Sequence, residues 1–539
     1  MLTAAGLSET STVDYGLTTS ERVLLTSAAG DRLAPQANIS FHQGEASNPV
    51  RIEVFPDDTR QTLLGIGTSF SEASAFVLAH LAPPQRAEVM AQIYGEQGAD
   101  LTLARTPIGA TDFCVQGRYS YADVDGDRAL EHFDIGVDRD GFAAAEYPGI
   151  RDPDYDLLPM IREALDIKSR QRDSTLRILA SAWTAPPWMK DIEDWYRDGS
   201  GGELKPEYVA TYADYLVRYL DAYAAAGVSI WGLTPVNEPL GNNGQWESMH
   251  FSAESQRDFI KYHLGPKLRS GGYENLELFI LDHSRGDLEH WADVIYGDAV
   301  AAQYVSGAAV HWYESTFKVY QDVFERVHAR YPDFSIIHSE GCIDDLGKDA
   351  PAGVSDPLGY KESGWFDNDD FWWGANASDW AYSVTWDFVD ADDHPLYVPV
   401  HRYARNIIVS LNHWVTGWID WNIVLDARGG PNHVGNFCGA PIMIDTDSEY
   451  VYYTPIYYIL AQFSRSIRPG DRALLCVAAP PASDDDAIHA SASINDQGLL
   501  SVQVLNTTQQ PIEYDLQIGV QCARVTIAAN ALQTIQLRL

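Results

Sequence analysis

The chain of 539 residues is short of cations and of cysteine. Lys and Arg number 37 against 76 Asp and Glu, a formal net charge of −39. A surface of that sign repels phosphate, and no run of Lys or Arg supplies the basic stripe that nucleic-acid binding requires. It also disfavours anionic membrane surfaces. A neutral polar partner such as a carbohydrate is compatible with it. Five cysteines (Cys114, Cys342, Cys438, Cys476 and Cys522) are too few and too scattered for a disulfide framework, so buried free thiols are expected. There is no CxxC, no HExxH, no GxSxG elbow and no P-loop, which leaves metallohydrolase, serine-hydrolase and nucleotidase readings without a handle. Asp123-Val-Asp-Gly-Asp127 has its Gly too early for a calcium loop and reads as a solvated turn. No stretch reaches about 18 apolar residues, so no membrane span and no stable membrane insertion are expected. The first ten residues lack the basic and apolar regions of a signal peptide. The expectation is a soluble protein, cytoplasmic favoured, with secretion or periplasmic placement compatible only if a leader has been removed.

What is present is apolar and aromatic material for a large core: 45% hydrophobic and 12% aromatic residues, with ordinary Gly and Pro. Eight short apolar runs alternate with helical patterns, at 62–67, 101–107, 176–182, 230–235, 276–281, 306–312, 335–338 and 415–423. Pro84 suits the first position of a helix running to Tyr94 and stopping at Gly95. The stretch 207–226 spaces Val209, Tyr212, Leu216, Tyr219 and Tyr223 by three and four residues and stops at Gly227. Eight βα repeats predict an α/β fold, a (β/α)₈ TIM barrel. An open doubly wound sheet is the weaker alternative, because no GxGxxG follows the first strand. From about residue 473 the pattern changes to alternating strand-length segments at 487–494, 499–505, 512–518, 522–527 and 534–539. With strand-like runs at 22–26 and 50–54, both termini are expected to build one all-β sandwich beside the barrel. The domain reading is 1–55 with 462–539 for the sandwich and 56–461 for the catalytic barrel.

Two segments carry chemistry. Thr234-Pro-Val-Asn-Glu-Pro239 ends the fourth run, and Ile337-His-Ser-Glu-Gly341 ends the seventh. Each places a Glu at the C-terminal mouth where a barrel builds its site. Pro239 breaks the strand after Glu238, and Gly341 loosens the chain after Glu340. Strands 4 and 7 lie across the barrel, so the two carboxylates face each other. That arrangement suits glycoside hydrolysis, which by the retaining route needs carboxyl groups about 5–5.5 Å apart.

On these residues and others the sequence resembles glycoside hydrolase family 30, in particular its glucosylceramidase-like branch. The matching segments are 65–75, Arg105-Thr-Pro-Ile-Gly-Ala-Thr-Asp-Phe113, Ser181-Ala-Trp-Thr-Ala-Pro-Pro-Trp188, Asn237-Glu-Pro239, His311-Trp-Tyr313, Ser339-Glu340, Trp418-Ile-Asp-Trp-Asn422 and Gly429-Gly-Pro-Asn432. The resemblance implies a barrel with a side β-domain from both termini, and a retaining β-glycosidase acting on β-D-glucosides without cofactor or metal. It implies Glu340 as nucleophile and Glu238 as acid/base. Arg105 and Tyr313 would keep Glu340 ionised, and the charge of Glu340 would raise the pKa of Glu238. Asn237 would hydrogen-bond the sugar 2-hydroxyl. Asp112, Trp183, His311, Trp421 and Asn432 would complete the sugar site, an Asp accepting from adjacent hydroxyls and an indole covering the apolar pyranose face. The loop 240–250 follows the acid/base as a cleft wall, with Trp246 a leaving-group contact. This loop and 356–379, with Trp365, Trp372 and Trp373, depart from the lysosomal-type pattern, which puts ceramide in question as the aglycone. The charge and the absence of a membrane-docking segment favour a small saccharide or β-glucan substrate over a lipid. The alternatives are the same chemistry on β-xylosides or β-fucosides, or a carbohydrate-binding protein without catalysis.

Overall fold

The computed structural model describes residues 13–241, 244–316, 318–344, 372–373, 398–479 and 488–539. Trp365 and all of 356–379 except Trp372 and Trp373 lie outside the described residues.

Eight parallel strands close into a barrel. In chain order they are Gly65–Ser69, Leu103–Ile108, Arg177–Ala182, Gly232–Thr234, Glu277–Ser284, Gly307–His311, Ser335–Glu340 and Val415–Asp420. Each pairs with its sequence neighbours, and the eighth closes onto the first through Gly417↔Gly65 to Asp420↔Thr68. All eight expected runs are barrel strands. Leu103, Leu179, Phe279, Ala309, Ile337 and Ile419, from six of the strands, pack as one apolar cluster, which leaves the mouth for polar residues.

The intervening helices follow their local signals. The first long one is Pro83–Tyr94, beginning one residue before Pro84; both prolines sit where a helix has no use for an N–H. In Val209–Ala225 the stripe Tyr212, Leu216, Tyr219 and Tyr223 is buried against the barrel. Gly227 follows at φ +85°, a conformation that costs glycine little.

Both termini enter one ten-stranded sheet beside the barrel. Arg22–Ser27 pairs antiparallel with Ala531–Arg538. Arg51–Thr62 lies between Arg472–Ala479 and Ile512–Ile518 and leads directly into the first barrel strand. Arg472–Ala479 is a strand that the periodicity did not single out. Alternate residues from both halves of the sheet, including Val23, Ile52, Val502, Leu516, Val525 and Ile535, meet in a single apolar layer, as a sandwich requires. Helix Pro455–Ser466 anchors this sheet to the barrel: its buried Gln462 accepts from Thr26 Oγ1 (2.7 Å) and donates to the Leu532 carbonyl (3.0 Å). Among the described residues Cys114, Cys342, Cys438 and Cys522 are buried and Cys476 is half-buried, and no helix is long and apolar enough to cross a membrane.

Candidate active site

Glu340 is the last residue of the seventh strand, and Glu238 lies just beyond the fourth. Glu238 has φ +48°, rare for a residue with a Cβ. Its N–H donates to the Asp282 carbonyl (2.9 Å) and its carbonyl accepts from Gly241 N–H (2.8 Å), so the strained backbone is held from both sides. Gly341 does not loosen the chain. A Cβ there would lie 2.8 Å from the His338 ring and 3.1 Å from the Trp312 indole nitrogen, so the glycine permits a close approach. The Gly341 carbonyl accepts from the backbone N–H of Trp421 (3.1 Å), which ties the end of the eighth strand to the end of the seventh. A carboxylate oxygen of Glu238, one of Glu340 and a ring nitrogen of His311 all lie within 4.8 Å of one another.

The two carboxylates stand in different surroundings. Glu340 is 5% exposed and accepts from the guanidinium of Arg105 and from Tyr313 Oη (3.0 Å). Arg105, fully buried, also donates to Asn237 Oδ1 (2.7 Å), Asp282 Oδ2 (2.8 Å) and Ser181 Oγ (3.1 Å). Asp282 is the hub that sequence reading missed. Besides Arg105 it receives Thr234 Oγ1 (2.7 Å), Ser339 Oγ (2.7 Å) and the Nε2 of His311 (2.9 Å). Its signal was there to be read, an Asp closing the apolar fifth strand at the mouth. The other ring nitrogen of His311, Nδ1, lies 3.4 Å from Glu238 Oε1.

Charge follows from these contacts. Burial resists charge on His311, but Glu340, Asp282 and Glu238 outweigh it and push the imidazole up to about 9, so it is a cation at neutral pH. Burial likewise resists ionisation of Asp282, and Arg105 and His311 overcome it, holding that carboxyl well below the usual range. Burial pushes Glu340 up, while burial of Glu238 is outweighed by the His311 hydrogen bond and the neighbouring cations, which draw it down. The sequence expectation placed the raised group at Glu238. Both carboxylates feel the cationic His311, but Glu238 also gains its hydrogen bond, whereas Glu340 lies beside the like charges of Glu238 and Asp282.

The remaining expected residues surround this centre. Trp183 and Trp421 are buried and stacked on each other at 5.2 Å and 26°, with the Arg105 guanidinium 4.9 Å from the Trp183 ring. Trp246 is partly buried and packs against the apolar cluster that holds both indoles, as does Tyr313. Trp372 and Trp373 are buried in that cluster. Asp112, 3% exposed, accepts at Oδ2 from the amides of Asn432 (3.0 Å) and Asn436 (2.9 Å). The Asn432 oxygen is engaged in shaping its own turn, accepting from the N–H groups of Val434 and Asn436 (both 3.0 Å). Asn436 was not foreseen; a second Asn in the same turn was its only mark. Burial pushes Asp112 up to about 7 against its two amide donors.

Among the described residues, Glu238, His311 and Glu340 are the group whose ligand atoms converge closely enough for a metal ion. The donor set fits one poorly, since Glu340 already receives a guanidinium and His311 is itself a cation. Asp127 spends its carboxylate on the N–H groups of Glu131 (3.1 Å) and His132 (2.8 Å), as a turn does.

The sequence matches the family described as the glycosyl hydrolase family 30 TIM-barrel domain over residues 63–356 and 369–467. It is 29% identical to the lysosomal acid glucosylceramidase of Mus musculus over 470 residues, 85% of this chain and 77% of that protein. It is 24% identical to an endo-1,6-beta-D-glucanase of Neurospora crassa over 425 residues, covering 78% and 73% of the two chains. The crystal structure of SrfJ from Salmonella typhimurium has the same fold, with a TM-score of 0.77 at 24% identity over 97% of this chain and 100% of that one.

Proposed function

We infer the reaction of this site from one premise: the chain belongs to glycosyl hydrolase family 30 and is a glycosidase. The reading is a retaining β-glycosidase that cleaves β-D-glucosidic bonds by double displacement. The observation that carries it is the closeness of Glu238 and Glu340, whose nearest oxygens are within 4.8 Å. An inverting pair stands about 6.5–9.5 Å apart to admit a water, and this pair does not.

The roles follow from the surroundings. Glu340, held by Arg105 and Tyr313, attacks the anomeric carbon as a carboxylate. The bond to the leaving oxygen breaks, its electron pair goes to that oxygen, and a proton reaches it from Glu238. His311⁺ against Glu238⁻ is a tautomer of neutral His311 against protonated Glu238, so their contact supplies that proton. Once Glu340 is esterified its charge is gone. Water then attacks the anomeric carbon, the bond from that carbon to Glu340 breaks with its electron pair returning to the Glu340 carboxylate, and the water's proton goes to Glu238. Asn237, fixed by Arg105, sits beside Glu238 to meet the sugar 2-hydroxyl. Asp112 and Asn436 hold hydroxyls remote from the anomeric carbon, with Asn432 fixing their turn, Trp183 and Trp421 as the apolar wall and Trp246 on the leaving-group side.

The substrate is a β-glucosyl compound, a small saccharide or a β-glucan. The names of the two relatives share a glucosyl unit, and one specifies a β-1,6 bond. The net charge of −39 favours a soluble saccharide over a substrate at an anionic membrane.

The test is stereochemical. Proton NMR of an aryl β-glucoside digest is expected to give β-glucose first, with the α anomer appearing only by mutarotation. Glu340→Ala is expected to lose turnover and to recover it with azide, yielding the α-glucosyl azide. Initial release of the α anomer by the native enzyme overturns the reading.

A further inference from the structure

Beside Asp112 lies a charge cluster that the reaction does not use, in which an exposed Arg118 and a half-buried His433 meet a buried carboxylate. Glu247 is fully buried, and neither oxygen has a well-formed hydrogen bond. Its Oε1 is held by two ion pairs, to Arg118 Nε and to His433 Nε2, each 3.2 Å. A carboxylate taken out of water without good hydrogen bonds contributes little or nothing to stability, so its retention calls for another account.

The contacts supply one. His433 sits inside the turn whose flanking amides, Asn432 and Asn436, both donate to Asp112, and its own N–H donates to the Asp112 carbonyl (3.0 Å). Arg118 is on the segment that carries Asp112, and Glu247 is on the segment that follows Glu238. One carboxylate therefore ties together three loops, from the ends of the second, fourth and eighth strands. Being fully buried, Glu247 acts on the sugar through its neighbours. We propose that Glu247 is a positioning residue that, through His433 and Arg118, clamps Asp112 and the Asn432–Asn436 turn in register with the hydroxyls of a glucoside remote from its reacting carbon.

This rests on the sugar-site reading of Asp112, and the experiment separates the two. Kinetics on p-nitrophenyl β-glucoside are measured for Glu247→Gln, Asp112→Asn and the double variant, with thermal unfolding alongside. Glu247→Gln keeps shape and removes charge. Its KM is expected to rise about tenfold, the worth of one hydrogen bond from a sugar hydroxyl to a displaced Asp112, with kcat changed less than about threefold. Because Glu247 works through Asp112, the double variant is expected to match Asp112→Asn alone. An unchanged KM in Glu247→Gln, a fall confined to kcat, or costs that multiply in the double variant overturns the proposal. An Asp112→Asn enzyme with native KM overturns the sugar-site reading and the proposal with it, whereas a raised KM there beside a native Glu247→Gln removes only the proposal. Where Glu247→Gln does not fold, His433→Gln carries the same cycle with the same criteria.

Discussion

Removing Arg105 puts the electrostatics of the site to the strictest test. Its guanidinium faces Glu340, Asp282, Asn237 and Ser181, is fully buried, and lies against Trp183. In Arg105→Leu, Asp282 and Glu340 keep His311 as their nearest cation, so one buried negative charge loses its partner. Breaking such a pair costs about 3–5 kcal/mol, roughly a factor of 10² to 10³ or more in the folding equilibrium. The loss depends on pH with a definite sign. Without Arg105 the native carboxyls bind protons more tightly than in the unfolded chain, so the variant's stability falls as pH rises. Urea denaturation is expected to give the larger deficit at about pH 8 and a smaller one at about pH 5. Activity reports the same charge. An opposite charge at this range shifts a carboxyl by about 1–3 units, so the acid limb of kcat/KM, which follows ionisation of Glu340, is expected to move up by that amount. Arg105→Lys keeps the charge and is expected to keep most of the limb's position. A folded Arg105→Leu enzyme with the native acid limb, or equal destabilisation at both pH values, refutes the reasoning.

Three further outcomes are expected. Glu238→Ala is expected to spare glycosyl transfer from aryl glucosides with good leaving groups and to depress poor ones; an equal loss across a leaving-group series rules out Glu238 as the acid. In the native enzyme the acid limb of kcat/KM is expected above the ordinary glutamate value of 4.5, because burial raises Glu340, and the alkaline limb is expected to follow the His311–Glu238 pair, with His311 near 9. Activity undiminished above about pH 10 contradicts the second part. Burial raises Glu72 to about 7, Asp138 to about 6 and Asp156 to about 8. The folded chain therefore holds protons that the unfolded chain releases, and stability is expected to be lost as pH rises from about 5 to about 8, by about 1.4 kcal/mol per pH unit for each such proton. Greater stability against urea at about pH 8 than at about pH 5 refutes this.

The ordering of the barrel was legible because each strand is a short apolar run in a fixed alternation with helical stripes, and that local pattern survives packing. The ends of strands were less so. Arg472–Ala479 escaped notice although it pairs along Arg51–Thr62, because its place depends on a partner more than four hundred positions away. Glu238 and Glu340 announced themselves by position, each at the C-terminal end of an apolar barrel run. Gly341 was assigned the wrong reason, since only the approach of Trp312 and His338 explains it.

By itself, then, the sequence determined the βα order, the two-ended side sheet and the residue types at the strand ends, all of which depend on neighbours along the chain. The tertiary structure alone decided that Asp282 is the hub beneath both carboxylates, that the His311 hydrogen bond helps draw Glu238 down while burial raises Glu340, and that Glu247, His433 and Arg118 meet beside Asp112. A pKa and a hydrogen bond depend on distance and burial in space. Residues remote from one another in the polymer acquire both only when the barrel closes.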